Sequence, residues 1–256
     1  MAVAMGIHEA AREGNVSVIS SLLDTGDAAL GSKLDEDGRT PLHWAAAGGH
    51  IEAMRTLLQL GADRVDIEHR DESGWTALMS ATSAGHVEAV AILLQAAPNS
   101  KTLADQRNNQ GQQALHFHKG REEMARILLP VTTDVNAQDK YGATALHRCC
   151  RGDCTVGSAT AEALITAGAV ATAADCNGNT ALHLACELRA ADLASALLRS
   201  VVAGTAADSD AEAAGKSAMT TNNGEGKSPL DFCTEEQSAA LHQQLQLSLQ
   251  LQRRQQ

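Results

Sequence analysis

The residues of this chain whose types could support metal binding or catalysis are its ten histidines and six cysteines. The spacing most suggestive of a metal site is His147-x-Cys149-Cys150-x3-Cys154. Zinc sites usually show paired C-x2-4-C spacing, and adjacent cysteines on one helix point in different directions. The sequence also shows no Gly-rich phosphate loop, nucleophile elbow or carboxylate pair in a plausible cleft. We therefore predict no metal, no cofactor and no enzymatic activity; an enzyme or zinc protein centred on these four residues is the alternative from another functional class.

Most of the histidines recur at equivalent positions along the chain. Four of them each directly follow a leucine, and two more share a later turn position. The first set is His43, His116, His147 and His183, and the second is His50 and His86. Repetition in every unit indicates architecture rather than one site. We interpret these histidines as structural groups that hydrogen-bond neighbouring loops.

The cysteines follow no disulfide framework. Cys150 and Cys186 occupy a small-residue position that alanine fills in other copies of the motif. Buried free thiols in a reducing compartment are the simplest interpretation. The full set is Cys149, Cys150, Cys154, Cys176, Cys186 and Cys233.

A short motif that contains these histidines recurs along the chain, and its best copy is the run from Gly38 to His43. The anchoring leucines of successive copies lie 36, 37, 31, 36 and 48 residues apart. These leucines are Leu42, Leu78, Leu115, Leu146, Leu182 and Leu230. The spacing brackets the roughly 33-residue ankyrin period, and the chain resembles the ankyrin-repeat family.

The physical requirements of one unit agree with this resemblance. Each unit starts with a turn in which a glycine such as Gly38 supplies a positive φ without a Cβ clash. Thr40 then suits an N-cap, and Pro41 suits the first helical position. A second helix follows, and Gly61 suits the position just after its end. Because no unit buries its apolar face alone, neighbouring units must stack.

We predict an all-α fold, an ankyrin-repeat solenoid of about seven helix-turn-helix units with β-turn or hairpin fingers. The fourth unit lacks two residues around 118–120, and the fifth carries a small insertion at 152–157. The units form a single domain over residues 1–242, with approximate bounds 1–37, 38–73, 74–110, 111–141, 142–177, 178–203 and 226–242.

Two segments fall outside the repeat pattern. Residues 204–225 are rich in Ala, Ser, Thr, Gly and Asp, and we expect them to be a disordered finger-loop insertion. The Gln-rich tail, residues 243–256, either extends the final helix or is disordered. No signal peptide or membrane span is predicted.

The charge of the chain indicates the kind of partner to expect. Its net charge of −11 makes nucleic acid a poor partner and a basic protein surface a good one. Glu36, Asp37 and Glu72 lie on the first two predicted fingers, whereas Lys119 and Arg148 supply positive charge further along. A groove with such a pattern would steer a partner of opposite pattern and set its register. The alternative is that these residues are solvated turn positions.

The two tryptophans indicate a contact surface. Trp44 and Trp75 fall at inner-helix or finger positions, which we expect to be exposed toward a groove. An exposed tryptophan is a typical interface anchor. The alternative is local packing between neighbouring fingers.

Within the family, the residue runs at 38–45, 74–75, 141–148 and 178–186 are similar to those of the ankyrin-repeat chaperones that assemble the proteasome regulatory particle. This resemblance implies that a concave groove holds the C-terminal domain of one proteasomal AAA ATPase subunit. By matching motif it implies contacts from Arg39, Trp44, Trp75 and Lys119. Further candidates from their groove position are Glu36, Asp37, Glu72, Tyr141, Arg148 and Arg151. We expect a monomer in the cytoplasm and nucleus, with no nucleic-acid or membrane partner.

The sequence departs from these chaperones at one element, and an alternative function stays open. Their Leu-x-Cys-x-Glu element, associated with retinoblastoma binding, is replaced by Leu184-Ala185-Cys186-Glu187-Leu188, so we do not predict that interaction. The alternative is a generic ankyrin adaptor or kinase-inhibitor scaffold that uses the same groove for another protein.

Overall fold

A computed structural model describes residues 5–25, 29–60, 65–150, 157–204 and 208–255. This part of the chain contains fourteen α-helices and four short 3-10 helices. The α-helices are α1 (Ile7–Glu13), α2 (Val16–Leu23), α3 (Pro41–Gly48), α4 (Ile51–Leu60), α5 (Ala77–Ala84), α6 (Val87–Ala96), α7 (Ser100–Asp105), α8 (Glu122–Leu128), α9 (Ala145–Cys149), α10 (Gly157–Thr166), α11 (Ala181–Glu187), α12 (Ala191–Ala203), α13 (Asp208–Thr220) and α14 (Glu235–Gln255). The 3-10 helices are Leu30–Ser32, Ala114–Phe117, Leu129–Val131 and Pro229–Phe232. Within these ranges the β pairing is limited to the isolated bridge between Ala174 and Thr180, so the all-α prediction is confirmed.

The first helix of most pairs begins directly after a capping threonine. In the second unit the N–H of Thr40 donates to Nδ1 of His43, and Pro41 opens α3, as predicted. The helix ends at Gly48 and is followed by Gly49, whose φ of +67° is a left-handed conformation that a Cβ atom disfavours. The helices α5, α9 and α11 likewise follow Thr76, Thr144 and Thr180. Gly61, predicted to end α4, lies outside the described residues.

The anchoring leucines form the core. Five of them are at most 3% exposed, namely Leu42, Leu78, Leu115, Leu146 and Leu182, whereas Leu230 is half-buried. Full burial of one leucine stabilises a fold by roughly 1.5–3 kcal/mol relative to exposure. Fully buried alanines such as Ala45 and Ala46 lie one turn further along the same helix. Small side chains let neighbouring helices approach closely, which explains how a chain with 2% aromatic residues builds a core.

One compact unit comprises residues 1–118 and 126–134. In it α1 packs against α3 and α3 against α5, and the second helices α2, α4 and α6 pack in the same order. This is the stacking of helix pairs predicted from the repeat. Helix α7 packs against α6 and was not predicted.

The fourth repeat has a 3-10 helix, Ala114–Phe117, where the other central repeats have an α-helix. The predicted loss of two residues explains this, because a shorter segment forms the tighter helix more readily. Lys119 and Gly120 then both have positive φ, at +50° and +74°, and turn the chain toward α8.

The second compact unit comprises residues 119–125 and 135–256. Helix α8 contributes residues to both units. Within the second unit α12 packs against α10, α13 and α14. The prediction of one domain over residues 1–242 stays a prediction.

Residues 208–220 form helix α13, so the prediction of a disordered loop over 204–225 is wrong for these residues. The helix buries Ala211 and Met219. Gly215 lies where α13 meets α14, since an added Cβ atom would be 2.4 Å from Cδ1 of Leu245. Contacts with α12 and α14 therefore order a segment whose composition resembles a loop.

The Gln-rich tail extends the final helix, which is one of the two alternatives predicted. Leu241, Leu245 and Leu249 are at most 3% exposed. They lie four residues apart along α14, on one helix face. No α-helix in the described ranges has the length and apolar character needed to cross a membrane.

Candidate functional site

An aspartate or asparagine shapes each finger turn, three residues before the turn glycine. Oδ1 of Asp35 accepts from the N–H groups of Asp37 and Arg39, at 3.0 and 2.8 Å. Backbone N–H groups of the following turn donate to the equivalent residues Asp71, Asn108, Asp139, Asp175 and Asn223. The recurring Asp/Asn-x-x-Gly pattern is visible in the sequence, but this role was not predicted from it.

The repeated histidines join neighbouring repeats. Nε2 of His43 lies 3.0 Å from the carbonyl oxygen of Trp75, and Nε2 of His147 lies 3.0 Å from that of Asn179. A carbonyl only accepts, so Nε2 carries the hydrogen and Nδ1 accepts from the capping threonine. His183 makes the same pair of contacts. The structural interpretation of these three histidines is confirmed.

Three residues predicted to contact a partner meet in the first compact unit. Arg39, Trp44 and Trp75 line one surface pocket of about 370 Å³. Its remaining lining comes largely from small residues of α3 and α5, including Ala47 and Ala84. Two aromatic rings beside a small-residue floor leave room for a side chain of a partner.

Trp44 is held by the finger turn below it. Its indole Nε1–H donates to Oδ2 of Asp35 at 2.7 Å. Partial burial works to raise the pKa of the Asp35 carboxyl, but the N–H donors of Arg39, Trp44 and Asp37 outweigh it and hold that pKa below its usual value. The ring of Trp44 is therefore positioned before any partner arrives.

Arg39 covers the same ring and spans two repeats. Its guanidinium carbon lies 5.2 Å from the centroid of the Trp44 ring, a cation–π arrangement. Nε lies 3.4 Å from Oδ2 of Asp71, and Nη1 lies 3.6 Å from Oδ2 of Asp37. The Arg39 side chain is still 37% exposed, so part of the guanidinium faces solvent.

Trp75 is half-buried and packs on a neighbouring ring. Its ring centroid lies 4.5 Å from that of Phe117. The expectation that the tryptophans are exposed is therefore too simple, since both Trp44 and Trp75 are half-buried. Each tryptophan therefore contacts a neighbouring side chain and also lines the pocket.

The acidic candidates lie on the finger tips of the same unit. Glu36, Asp37 and Glu72 are exposed. The N–H of Glu72 donates to the carbonyl oxygen of Asp37 at 3.0 Å, which joins the two fingers. The carboxylates of these fingers thus form an acidic margin near the Arg39 pocket.

The second unit holds three further candidates, and the structure separates their roles. Arg148 binds Oδ2 of Asp139, whose side chain is fully buried, and Arg148 itself is 18% exposed. Tyr141, on the same finger, is 56% exposed and Lys119 is exposed before α8. Arg148 therefore has a structural contact that the sequence analysis did not anticipate. Arg151 lies outside the described residues.

His147 and the nearby cysteines were the candidate metal site. Among the described residues, no three His, Cys, Asp or Glu side chains lie close enough together to bind a metal ion. Cys149 and Cys150 are buried, and Cys154 lies outside the described residues. Burial, together with the adjacent Cys150, raises the pKa of the Cys149 thiol well above its usual value. A neutral thiol is a poor metal ligand.

Comparison with known protein families gives one match that covers most of the chain. The family described as ankyrin repeats matches in three overlapping copies, over residues 7–105, 63–139 and 119–211.

Individual proteins match over much shorter stretches. Human DNA-binding protein RFXANK is 46% identical over 59 residues, which is 23% of this chain and 22% of that protein. The cell division cycle-related protein res1/sct1 of Schizosaccharomyces pombe is 56% identical over 36 residues, 14% of this chain and 6% of that protein. Human 26S proteasome non-ATPase regulatory subunit 10, or gankyrin, is 51% identical over 35 residues, 14% of this chain and 16% of that protein. The chain thus spans less than a quarter of each of these relatives, and their similarity supports the repeat family rather than one member of it.

Proposed function

The chain belongs to the ankyrin-repeat family, and from that premise we propose that it is an assembly chaperone of the proteasome regulatory particle. Ankyrin repeats are protein-interaction modules, so a protein partner follows from the family. The proposed partner is the C-terminal domain of a proteasomal AAA ATPase subunit, held by a monomer in the cytoplasm and nucleus. The proposed mechanism is binding alone, with no chemical step.

The pocket formed by Arg39, Trp44 and Trp75 is the observation that supports this proposal most. Asp35 orients Trp44, and Asp71 holds Arg39, so the pocket is arranged before binding. A preorganised surface loses less side-chain entropy when a partner docks. Tryptophan and arginine are also the residues that most often dominate interface energies.

The charged residues around the pocket favour a protein partner whose basic groups face the acidic fingers and whose acidic group faces Arg39. The exposed carboxylates of Glu36, Asp37 and Glu72 attract basic side chains, while the exposed part of Arg39 pairs with an acidic one. The relative RFXANK is named a DNA-binding protein. For this chain a net charge of −11 opposes contact with a phosphate backbone.

The choice of partner is supported by the residue runs shared with proteasome assembly chaperones and by the similarity to 26S proteasome non-ATPase regulatory subunit 10. The second candidate is an ankyrin adaptor or kinase-inhibitor scaffold with another protein partner. The same pocket would serve either function, so a binding experiment must separate them.

The test measures binding of the purified chain to isolated C-terminal domains of each proteasomal ATPase at low and moderate salt. Two matched variants accompany the native chain. Ala84→Gln fills the pocket from the last residue of α5, which is exposed. Ala96→Gln places the same side chain at the last residue of α6, which is also exposed.

We expect one domain to bind, with an affinity that falls as salt rises because charges contribute. Ala84→Gln should weaken that binding about tenfold or more, and Ala96→Gln should leave it unchanged. Absence of binding to every ATPase domain would refute the chaperone function and favour the adaptor. Equal effects of the two variants would refute the assignment of the pocket.

A further inference from the structure

Two thiols meet near the end of the second compact unit. Cys186 lies in α11 and is 2% exposed, and Cys233 directly follows the 3-10 helix Pro229–Phe232 and is half-buried. Both side chains line the same small cavity, although 46 residues separate them in the sequence. Helix α11 and the 3-10 helix pack together, so this cavity belongs to the packing of the last two repeats.

This cavity lies among α11, α12 and α14. Its volume is about 20 Å³, enough for about one water molecule. Small side chains surround the thiols, among them Ala185, Ala194 and Ala240.

The two cysteines differ in reactivity because they differ in environment. Burial raises the pKa of the Cys186 thiol, and the neighbouring Cys233 raises it further. Cys186 is thus a neutral thiol at physiological pH. Cys233 is closer to solvent, and its Sγ contacts the carbonyl oxygen of Pro229 at 3.5 Å. Cys233 is therefore the sulfur that a peroxide from solvent reaches first.

We propose that Cys186 and Cys233 form an oxidation site at which hydrogen peroxide produces an intramolecular disulfide. The sulfur of Cys233 attacks one peroxide oxygen and the O–O bond breaks, which yields a sulfenic acid and one water. The sulfur of Cys186 then attacks the sulfenic sulfur and the S–O bond breaks. The leaving hydroxyl departs as a second water with the thiol proton of Cys186. Two thiols lose two electrons in total, and one peroxide is reduced to two waters.

The disulfide would join α11 to the start of the last repeat. Closure of a loop of this length restricts the unfolded chain and stabilises the C-terminal end of the second unit. This inference is independent of the proposed partner, because neither cysteine lines the pocket of Arg39 and the two tryptophans.

The test treats the full chain carrying Cys176→Ser with hydrogen peroxide, alkylates the remaining thiols and maps the peptides by mass spectrometry. Cys176 is an exposed finger cysteine, and its replacement removes disulfides between molecules through this residue. We expect a linked peptide pair containing Cys186 and Cys233, a mass loss of about 2 Da, and reversal by dithiothreitol. The thermal midpoint of the oxidised chain should rise by about 5 °C or more.

Single variants identify the order of events. In Cys186→Ser, dimedone should label Cys233 as a sulfenic acid, because no second thiol is present. In Cys233→Ser, Cys186 should stay reduced, and this change at a half-buried loop position keeps the test valid if Cys186→Ser does not fold. Full alkylation of both cysteines after peroxide treatment, or a disulfide from either one to another cysteine, would overturn the proposal.

Discussion

The imidazole Nε2 of His43 donates to the carbonyl oxygen of Trp75, 32 residues further along the chain, at 3.0 Å. The same ring accepts at Nδ1 from Thr40, which caps the helix that carries His43. One neutral side chain thus caps its own helix and fixes the backbone of a pocket residue in the next repeat. Protonation at Nδ1 would remove an acceptor and place two donors against each other.

Stability should therefore fall as the solution becomes acidic. Burial lowers the pKa of His43, His147 and His183 below the unfolded value of 6.5. Above that pH all three are neutral in both states, so their contribution is complete. As pH falls below 6.5 the unfolded chain binds more protons, and the contribution is lost until the folded-state pKa is passed. The loss approaches about 1.4 kcal/mol per pH unit for each histidine.

Urea unfolding between pH 8 and pH 5 measures this slope. His43→Gln should reduce the slope, because it removes one of the three buried histidines. A native chain equally stable at pH 5 and pH 8 would contradict the neutral, doubly hydrogen-bonded state of these histidines.

Loss of the buried Asp139 carboxylate should reduce the free energy of unfolding more than loss of the equivalent carboxylate of Asp175, which has no cationic partner among the described residues. Asp139→Asn keeps an oxygen for the finger turn but leaves Arg148 without its ionic partner, at a cost of about 3 kcal/mol. Asp175 makes the same turn contacts through Oδ1, and no cation pairs with it among the described residues. Asp175→Asn should thus change the free energy of unfolding by less than about 0.5 kcal/mol.

Urea unfolding of both variants gives the comparison. Equal losses of stability would show that the turn hydrogen bonds, and not the ion pair with Arg148, account for the cost at Asp139.

Replacement by alanine should cost different amounts of stability at two turn glycines that share one backbone conformation. Gly142 and Gly226 have φ of +72° and +75°. A Cβ atom on Gly142 would lie 2.9 Å from the backbone nitrogen of Cys176, whereas one on Gly226 would meet no atom within 4 Å. Gly142→Ala should cost about 2 kcal/mol or more, and Gly226→Ala only about 1 kcal/mol, the cost of the left-handed conformation.

Thermal unfolding followed by circular dichroism distinguishes these cases. If Gly226→Ala lowered the midpoint as much as Gly142→Ala, the close approach of the two fingers at Cys176 would not be the cause.

Replacement of Arg189 by glycine should increase the stability of the chain. It has φ of +57° at the turn after α11, where Gly49 and Gly85 stand at the equivalent positions of earlier repeats. Arg189→Gly should stabilise the chain by about 0.5–1 kcal/mol, because relief of the left-handed strain exceeds the added entropy of the unfolded glycine. Arg189→Ala keeps the strain and should bring no gain. Chemical denaturation of the two variants tests this, and a destabilising glycine would mean that the arginine side chain itself contributes.

Much of the fold could be predicted because its information is local. Thr40, Pro41 and His43 lie within four residues of one another and determine where α3 begins. The buried leucines recur with the repeat, so hydrophobic periodicity locates the core. The pocket was predictable in part for the same reason, since Arg39 and Trp44 occupy fixed positions in their repeat.

The contacts that depend on folding were not visible in that pattern. The helix α13 was missed because its order comes from α12 and α14, and Gly215 permits the close approach. The prediction of a loop also gave too little weight to the alanines of this segment, since alanine has the highest intrinsic helix propensity.

By itself, the sequence determined the repeat, its helix caps and the residues available to a groove, because these follow from backbone preferences and apolar spacing over a few residues. The tertiary structure alone decided which polar groups meet. It paired the indole N–H of Trp44 with Asp35, buried Asp139 against Arg148 and placed Cys186 and Cys233 on the same cavity. These pairings depend on distances between side chains that only packing sets, so no local pattern predicts them.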